Sequence, residues 1–284
     1  MASMRDIKRR KAGVQSTQQI TKAMKLVSTV KLQRAKTRAL QSKTYFSCMY
    51  DTVVSLLARA GELDVPYTQK QECTRKAIIV LTSNRGLAGG YNSNVVKLIT
   101  QGGFAKEDVD IYAIGRKGRE TLERRGYTIK ADFSELADEF EYADAIKVVN
   151  QILKAYDEKE VGEIYLAYTN FKNTVSQTPE LLKLLPVLPE EHDEVESDGL
   201  LMNFEPHDEE ALKMIIPKYM TSLLHGALIE SVASENGARM QAMDNATNNA
   251  QEMIDSLTLL YNRARQGSIT QELTEIIAGA EAIS

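Results

Sequence analysis

Tryptophan is absent, cysteine occurs twice and proline six times, and each scarcity narrows what the chain can be. All six prolines lie between Pro66 and Pro217, so both ends lack the residue that breaks helices. Unbroken helices of about 55 and 65 residues at the two ends would reach roughly 80 to 100 Å, longer than one globular core needs. Cys48 and Cys73 form no CxxC pair and are too few for a disulfide framework, which leaves reduced thiols. No stretch approaches the roughly 18 to 20 apolar residues that span a bilayer, and the opening MASMRDIKRRKAG lacks the apolar run of a secretory signal, so the chain is expected to stay where it is made. His192, His207 and His225 are scattered, without HExxH or a Cys/His cluster, and no Ser/His/Asp or Cys/His set can be nominated from spacing. No catalytic residue, metal or cofactor is expected of this chain.

Charge is abundant but uneven. Residues 1 to 43 hold twelve Lys and Arg against Asp6 alone, whereas residues 189 to 212 hold ten acids and no base, and residues 230 to 284 hold eight acids against Arg239, Arg263 and Arg265. The two ends are complementary in sign, which favours their lying side by side. The basic arm could bind nucleic acid, but residues 1 to 44 contain no aromatic for base stacking, so a protein partner is favoured. From Met220 to the end Tyr261 is the only aromatic, and a surface of Ala, Asn, Gln, Ser and Thr touches neighbours without locking to one.

The ends carry a coiled-coil period. Met243, Ala246, Ala250, Met253, Leu257, Leu260 and Ala264 recur at steps of three and four, as do Phe46, Tyr50, Val53 and Leu57; Ile7, Val14, Ile20, Met24 and Val27 follow more loosely. The two arms are expected to pair antiparallel across the intervening domain. Leu212, Ile216, Tyr219 and Leu223 keep the step around Pro217, where a kink or fresh start is expected, and Pro206 followed by Asp208, Glu209 and Glu210 signals a helix start. Between the arms, strands are expected at Lys76–Leu81, Asp110–Gly115, Thr128–Ala131 and Glu163–Tyr168, with helices near Asn94–Ile99, before Arg125-Gly126, and over Ala143–Tyr156. That alternation predicts a largely parallel α/β sheet, with a loop and strand over Pro186–Pro206.

The loop Ser83-Asn84-Arg85-Gly86-Leu87-Ala88-Gly89-Gly90-Tyr91 follows the first strand, where a nucleotide fold holds phosphate. Its Gly90 is followed by Tyr91 and Asn92 instead of Lys and Ser or Thr, and GxGxxG spacing is missing, so a structural or protein-contact turn is the better reading. Gly115-Arg116-Lys117-Gly118 reads as a tight turn. A nucleotide-binding α/β enzyme and a homodimeric coiled-coil scaffold remain the alternatives.

Three segments carry a resemblance: Ile20-Thr21-Lys22-Ala23-Met24 with Leu26-Val27-Ser28, the loop from Asn84 to Gly90, and Tyr261–Gln266 running into Ile269–Ala280. The chain resembles the gamma subunits of bacterial F-type ATP synthases over its whole length. The resemblance implies α/β with long helical extensions: an antiparallel coiled coil of the N- and C-terminal helices plus a Rossmann-like α/β domain. The divisions expected are a shaft helix over 1–60, the Rossmann-like domain over 74–190, an acidic connector over 191–208 and a second shaft helix over 209–284. It further implies a non-catalytic rotor within a ring of three alpha and three beta subunits, next to the epsilon subunit and the membrane c-ring. The expected place is the cytoplasmic face of the bacterial membrane, held through the c-ring alone. By resemblance, Met24, Arg85, Arg239, Gln271 and Thr274 are rotor–stator coupling contacts. Lys25 stands where many relatives have Glu, and Asp244 where many have Lys; the thiol-regulated insertion of plastid relatives is absent, so Cys48 and Cys73 are not expected to form a redox switch.

Overall fold

Continuous apolar runs and proline-free ends become, respectively, a buried sheet and two long helices. The computed structural model describes residues 4–60, 67–69, 71–137, 139–174, 176–187 and 208–281, except the side chains of 42–47, 50, 51, 54–60, 208–212 and 281. In order, the elements are α1 (Met4–Ala60), β1 (Lys76–Leu81), α2 (Tyr91–Gln101), β2 (Val109–Ile114), α3 (Arg116–Arg124), β3 (Thr128–Asp132), α4 (Tyr142–Asp157), β4 (Glu163–Phe171), β5 (Gln177–Leu185) and α5 (Asp208–Glu281), with short 3-10 turns at Lys106–Asp108 and Ser134–Ala137. The chain divides into two compact units, Val30–Ala238 and the pair of segments Met1–Thr29 and Arg239–Ser284.

In the larger unit five strands are ordered β3-β2-β1-β4-β5. The first four are parallel, and β5 runs antiparallel to β4 at the sheet edge. Strands β1 and β2 are buried along nearly their whole length, as the apolar runs Ala77–Leu81 and Ile111–Ile114 require when both sheet faces are covered. One face, with Ile79, Leu81, Tyr112 and Leu166, packs against Val148, Val149 and Ile152 of α4 and Ile216, Met220 and Leu224 of α5. The other, with Ile78, Val80 and Ile111, packs under Val95, Val96 and Ile99 of α2 and Leu122 of α3. Each such side chain contributes about 1.5–3 kcal/mol when fully buried.

Strand β5 was not among the expected strands. Pro179 lies inside it, and proline is tolerated there because β5 is an edge strand that pairs only with β4. The strand expected within Pro186–Pro206 falls, beyond Val187, outside the described residues. Pro217 does not break or restart a helix: α5 is continuous through it. The tenth residue of α5 loses one backbone donor, while its own carbonyl accepts the Thr221 hydroxyl at 2.7 Å.

In the smaller unit α1 and α5 pair antiparallel, and the burial pattern corrects the expected seam. On α5 a covered row runs through Met243, Thr247, Ala250, Ile254, Leu257, Tyr261 and Ala264 at steps of four and three, with the expected Ala246 half-buried beside Thr247. Met253 and Leu260 instead stand 57% and 50% exposed. On α1 the covered positions include Ile7, Val14, Gln18, Thr21, Lys25 and Ser28, while Ile20 and Val27 are 57% and 58% exposed. Polar residues thus take seam positions where apolar neighbours one step away were expected. Of the other expected run, Val53 is fully buried in the larger unit, whereas the side chains of Phe46, Tyr50 and Leu57 are outside those described.

Candidate functional site

In doubly wound sheets, ligands bind at the carboxyl ends of the strands where the strand order reverses, here between β1 and β4. The chain closes this crevice with its own groups. Strand β1 pairs with β4 only as far as Val80 opposite Ala167, so Thr169 extends past its neighbour. Helix α5 fills the vacated side: the Ser231 hydroxyl meets the Thr169 amide at 3.5 Å and the Ser234 hydroxyl donates to the Thr169 carbonyl at 3.2 Å. All three residues are at most 3% exposed, so the crossing is dry.

The loop after β1 is tied down in the same manner. The Ser83 amide donates to Asn92 Oδ1 at 2.9 Å, the position a phosphate oxygen would take near a helix N-terminus. The Thr82 hydroxyl donates to the Gly115 carbonyl at 3.0 Å and accepts the Gly118 amide at 2.9 Å. Gly115 has φ 114°, and a Cβ there would lie 2.0 Å from the Thr82 carbonyl oxygen. The two glycines therefore serve a tight backbone approach. Asn84 ties the loop across to Ser134 and Arg116 at 2.8 and 3.0 Å. What the loop presents outward is Arg85 and Leu87, the latter 64% exposed and held at φ 63°, a conformation costly for a bulky side chain.

The second feature is the polar ladder of the helix pair. Gln18 Nε2 donates to Gln251 Oε1 at 2.8 Å, the Thr21 and Thr247 hydroxyls meet at 2.8 Å, and Lys25 Nζ lies 2.6 Å from Asp244 Oδ1. Numbers rise on α1 as they fall on α5, the mark of an antiparallel register. Thr21 and Thr247 also each contact a carbonyl of their own helix, Gln18 and Met243, so one hydroxyl proton serves the cross-helix contact. Among the described residues of this unit, Lys25–Asp244 is the ion pair that joins the basic helix to the acidic one.

Around this ladder the unit shows apolar groups outward: Ile20, Leu26 and Val27 on α1, Met253, Leu259 and Leu260 on α5. By the ladder's register, Met4 lies opposite the region of Arg265, so α5 beyond it has no α1 residue to face. There Ile269, Leu273, Ile276 and Ile277 are 49 to 67% exposed.

The sequence model of a family described as ATP synthase matches residues 3–283. The chain is 60% identical to the ATP synthase gamma chain of Lachnoclostridium phytofermentans, with all of both chains covered. This chain belongs to the ATP synthase gamma-chain family. It is also 37% identical to the ATP synthase gamma chain, sodium ion specific, of Acetobacterium woodii, over 99% of each chain. Its fold is shared with a chain in the cryo-EM structure of the Euglena gracilis mitochondrial ATP synthase, OSCP/F1/c-ring, rotational state 3. That match has a TM-score of 0.69 at 22% identity over 99% of this chain and 94% of the other. A chain in the central stalk/c-ring structure of the Tetrahymena thermophila mitochondrial ATP synthase gives 0.62 at 22% identity, over 80% of this chain and 99% of that one.

Of the residues nominated by resemblance to gamma subunits, Gln271 and Thr274 lie one turn apart on the exposed end of α5. There Gln271 donates to Glu275 at 2.9 Å and Thr274 to the Thr270 carbonyl at 2.8 Å. Met24 is half-buried beside the ladder, and Arg85 belongs to the other unit. Arg239 is only 9% exposed. Gln18, Thr21, Thr247 and Gln251 were missed. Their signal was polar residues recurring at heptad steps, which a search for apolar seams passes over. Among the described residues no helix is long and apolar enough to cross a membrane.

Proposed function

We propose that this chain is the central rotor shaft of an F-type ATP synthase, turning within a ring of three alpha and three beta subunits. It would carry torque between ion flow through the c-ring and nucleotide chemistry on the beta subunits. The observation that carries this reading is that the helix pair keeps apolar groups on its outside as well as in its seam. Its middle is joined by polar rungs, while Ile20, Val27, Met253, Leu260 and the end segment Ile269–Ile277 offer apolar groups to the outside. A free-standing hairpin gains nothing from that arrangement; a rod inside a protein sleeve does. Few aromatics face outward, so the sleeve is touched at many weak points and gripped at none.

In this reading the chain performs no bond chemistry. Gln271, Thr274 and Met24 meet the ring directly, Arg85 and Leu87 meet an acidic, partly apolar segment of it, and buried Arg239 acts through the helix surface it supports. The epsilon subunit and c-ring join the chain at the cytoplasmic face of the membrane, which the chain reaches through the c-ring alone.

Co-expression with alpha and beta subunits of one organism, purification through a tag on this chain, and intact mass measurement test the reading. One copy with three alpha and three beta subunits, with ATPase activity absent from the chain alone, is expected. A self-associated particle lacking both partners would overturn it.

A further inference from the structure

A groove of about 610 Å³ opens within the larger unit where α1, α5 and the start of α4 meet. Its size is that of a small-molecule site. One wall is the α1 stripe Lys31, Arg34 and Arg38, whose steps of three and four set three cations along about 10 Å of one helix face. All three are exposed, and none forms an ion pair among the described residues. The floor is apolar, with Phe140, Leu228 and Val232. Across from the cations stand Glu139, Glu141 and Asp144. Asp144 is engaged on its own helix: it accepts the Glu141 amide at 3.2 Å and Lys147 Nζ at 2.9 Å, and forms a capping box with Glu141. Asn236, 3% exposed, also lines the groove; its Nδ2 donates to the Val232 carbonyl at 2.8 Å, and its Oδ1 has no donor among the described residues. What remains uncommitted is three cations on one side, and Glu139 and the Asn236 oxygen as acceptors.

We propose that this groove binds a nucleoside di- or triphosphate as a regulatory ligand, its phosphates along Lys31, Arg34 and Arg38 and its nucleoside over the apolar floor. Lys and Arg give phosphate oxygens the strong, charge-assisted kind of hydrogen bond. Phe140 and the aliphatic floor suit a flat base, while Glu139 and Asn236 Oδ1 accept from its amino group and from ribose hydroxyls. Inorganic phosphate would leave floor and acceptors unused. An acidic peptide carries carboxylates along its length and would bring some of them toward Glu139 and Glu141, whereas a nucleotide confines its charge to one end. The groove shares no residue with the crevice that Ser231 and Ser234 close, and it performs no bond chemistry. It also has an internal reporter. His225 packs on Phe140 with ring centroids 5.5 Å apart, and burial, then the Arg38 charge, hold its pKa down. A phosphate against Arg38 offsets that charge, so an occupied groove raises the His225 pKa. The proposal stands apart from the rotor reading and does not need it.

The test uses the full chain, with ATP, ADP, adenosine and inorganic tripolyphosphate as probes, calorimetry for affinity and NMR for the His225 ring. ATP is expected to bind at a single site, about tenfold more tightly than tripolyphosphate, the scale of one base stacked on an aromatic ring. It should also move the His225 titration to higher pH. Arg34→Gln should weaken ATP about tenfold, as loss of one hydrogen bond between charged groups does. In Arg38→Gln, His225 should titrate higher without ligand and respond less to ATP. Tripolyphosphate binding as tightly as ATP would reveal general attraction of polyanions and overturn the proposal, as would unchanged ATP affinity in Arg34→Gln. Silence toward every probe, with Arg34 and Arg38 protected only after assembly with alpha and beta subunits, would give the groove to a protein partner instead. The comparison of ATP with tripolyphosphate is made on the wild-type chain, so it decides even if a variant fails to fold.

Discussion

His225 shows how one side chain makes a fold depend on acid. It lies between Phe140 and Tyr142, with ring centroids 5.5 and 5.4 Å away. Burial, and then the positive charge of Arg38, hold its pKa below the usual histidine value. In the unfolded chain it protonates as pH falls through about 6.5, while the folded chain resists, so its contribution is whole above that pH and is lost toward the folded pKa. His225→Phe should flatten the melting temperature between pH 7.5 and 5.5 relative to wild type; parallel curves for the two chains would show that His225 is not responsible. At Gly115 the constraint is steric. Its φ of 114° and the Thr82 carbonyl, 2.0 Å from where a Cβ would lie, predict that Gly115→Ala costs about 3 kcal/mol or more, read by chemical denaturation.

Among elements, the helix pair is decided by its rungs. The Lys25–Asp244 contact is short, but both side chains are more than a third exposed, so it contributes about 0–1 kcal/mol and mainly selects the partner and register. Lys25→Glu would set two carboxylates against each other, and adding Asp244→Lys should restore the pair. A double-mutant cycle on melting temperature should show the second change recovering most of the loss; additive losses would mean the two residues act alone. The ladder also accounts for the misread seam. Met253 and Leu260 fit an apolar heptad by type, yet Ile254 and Tyr261 occupy the covered positions, because polar cross-helix contacts set the rotation of each helix about its axis. The α/β elements were more legible: Ala77–Leu81 and Ile111–Ile114 are unbroken apolar runs, and such runs have few fates other than a two-sided burial. β5 was hidden by Pro179 and by its half-buried, mixed residues, which do not alternate as an edge strand usually does.

For the whole molecule, the end of α5 is the place where fold and function separate. Beyond Arg265 it has no α1 residue to pack on, and its apolar groups remain exposed. Removing everything after Gln266 should leave the melting temperature within about 2 °C, while torque or assembly with alpha and beta subunits falls. Global loss of structure in the truncated chain would show the segment to be core.

By itself the sequence determined the class of every major part: two long helices where proline is missing, a mainly parallel sheet where apolar runs alternate with amphipathic ones, and a loop without the lysine a phosphate site requires. These are local properties, set by periodicity, backbone donors and residue type. Tertiary structure alone decided which face of each long helix is covered, that Ser231 and Ser234 close the crevice beside Thr169, and that Lys25 meets Asp244. Each of those depends on residues dozens to hundreds of positions apart, and distance along the chain carries no record of the packing that joins them.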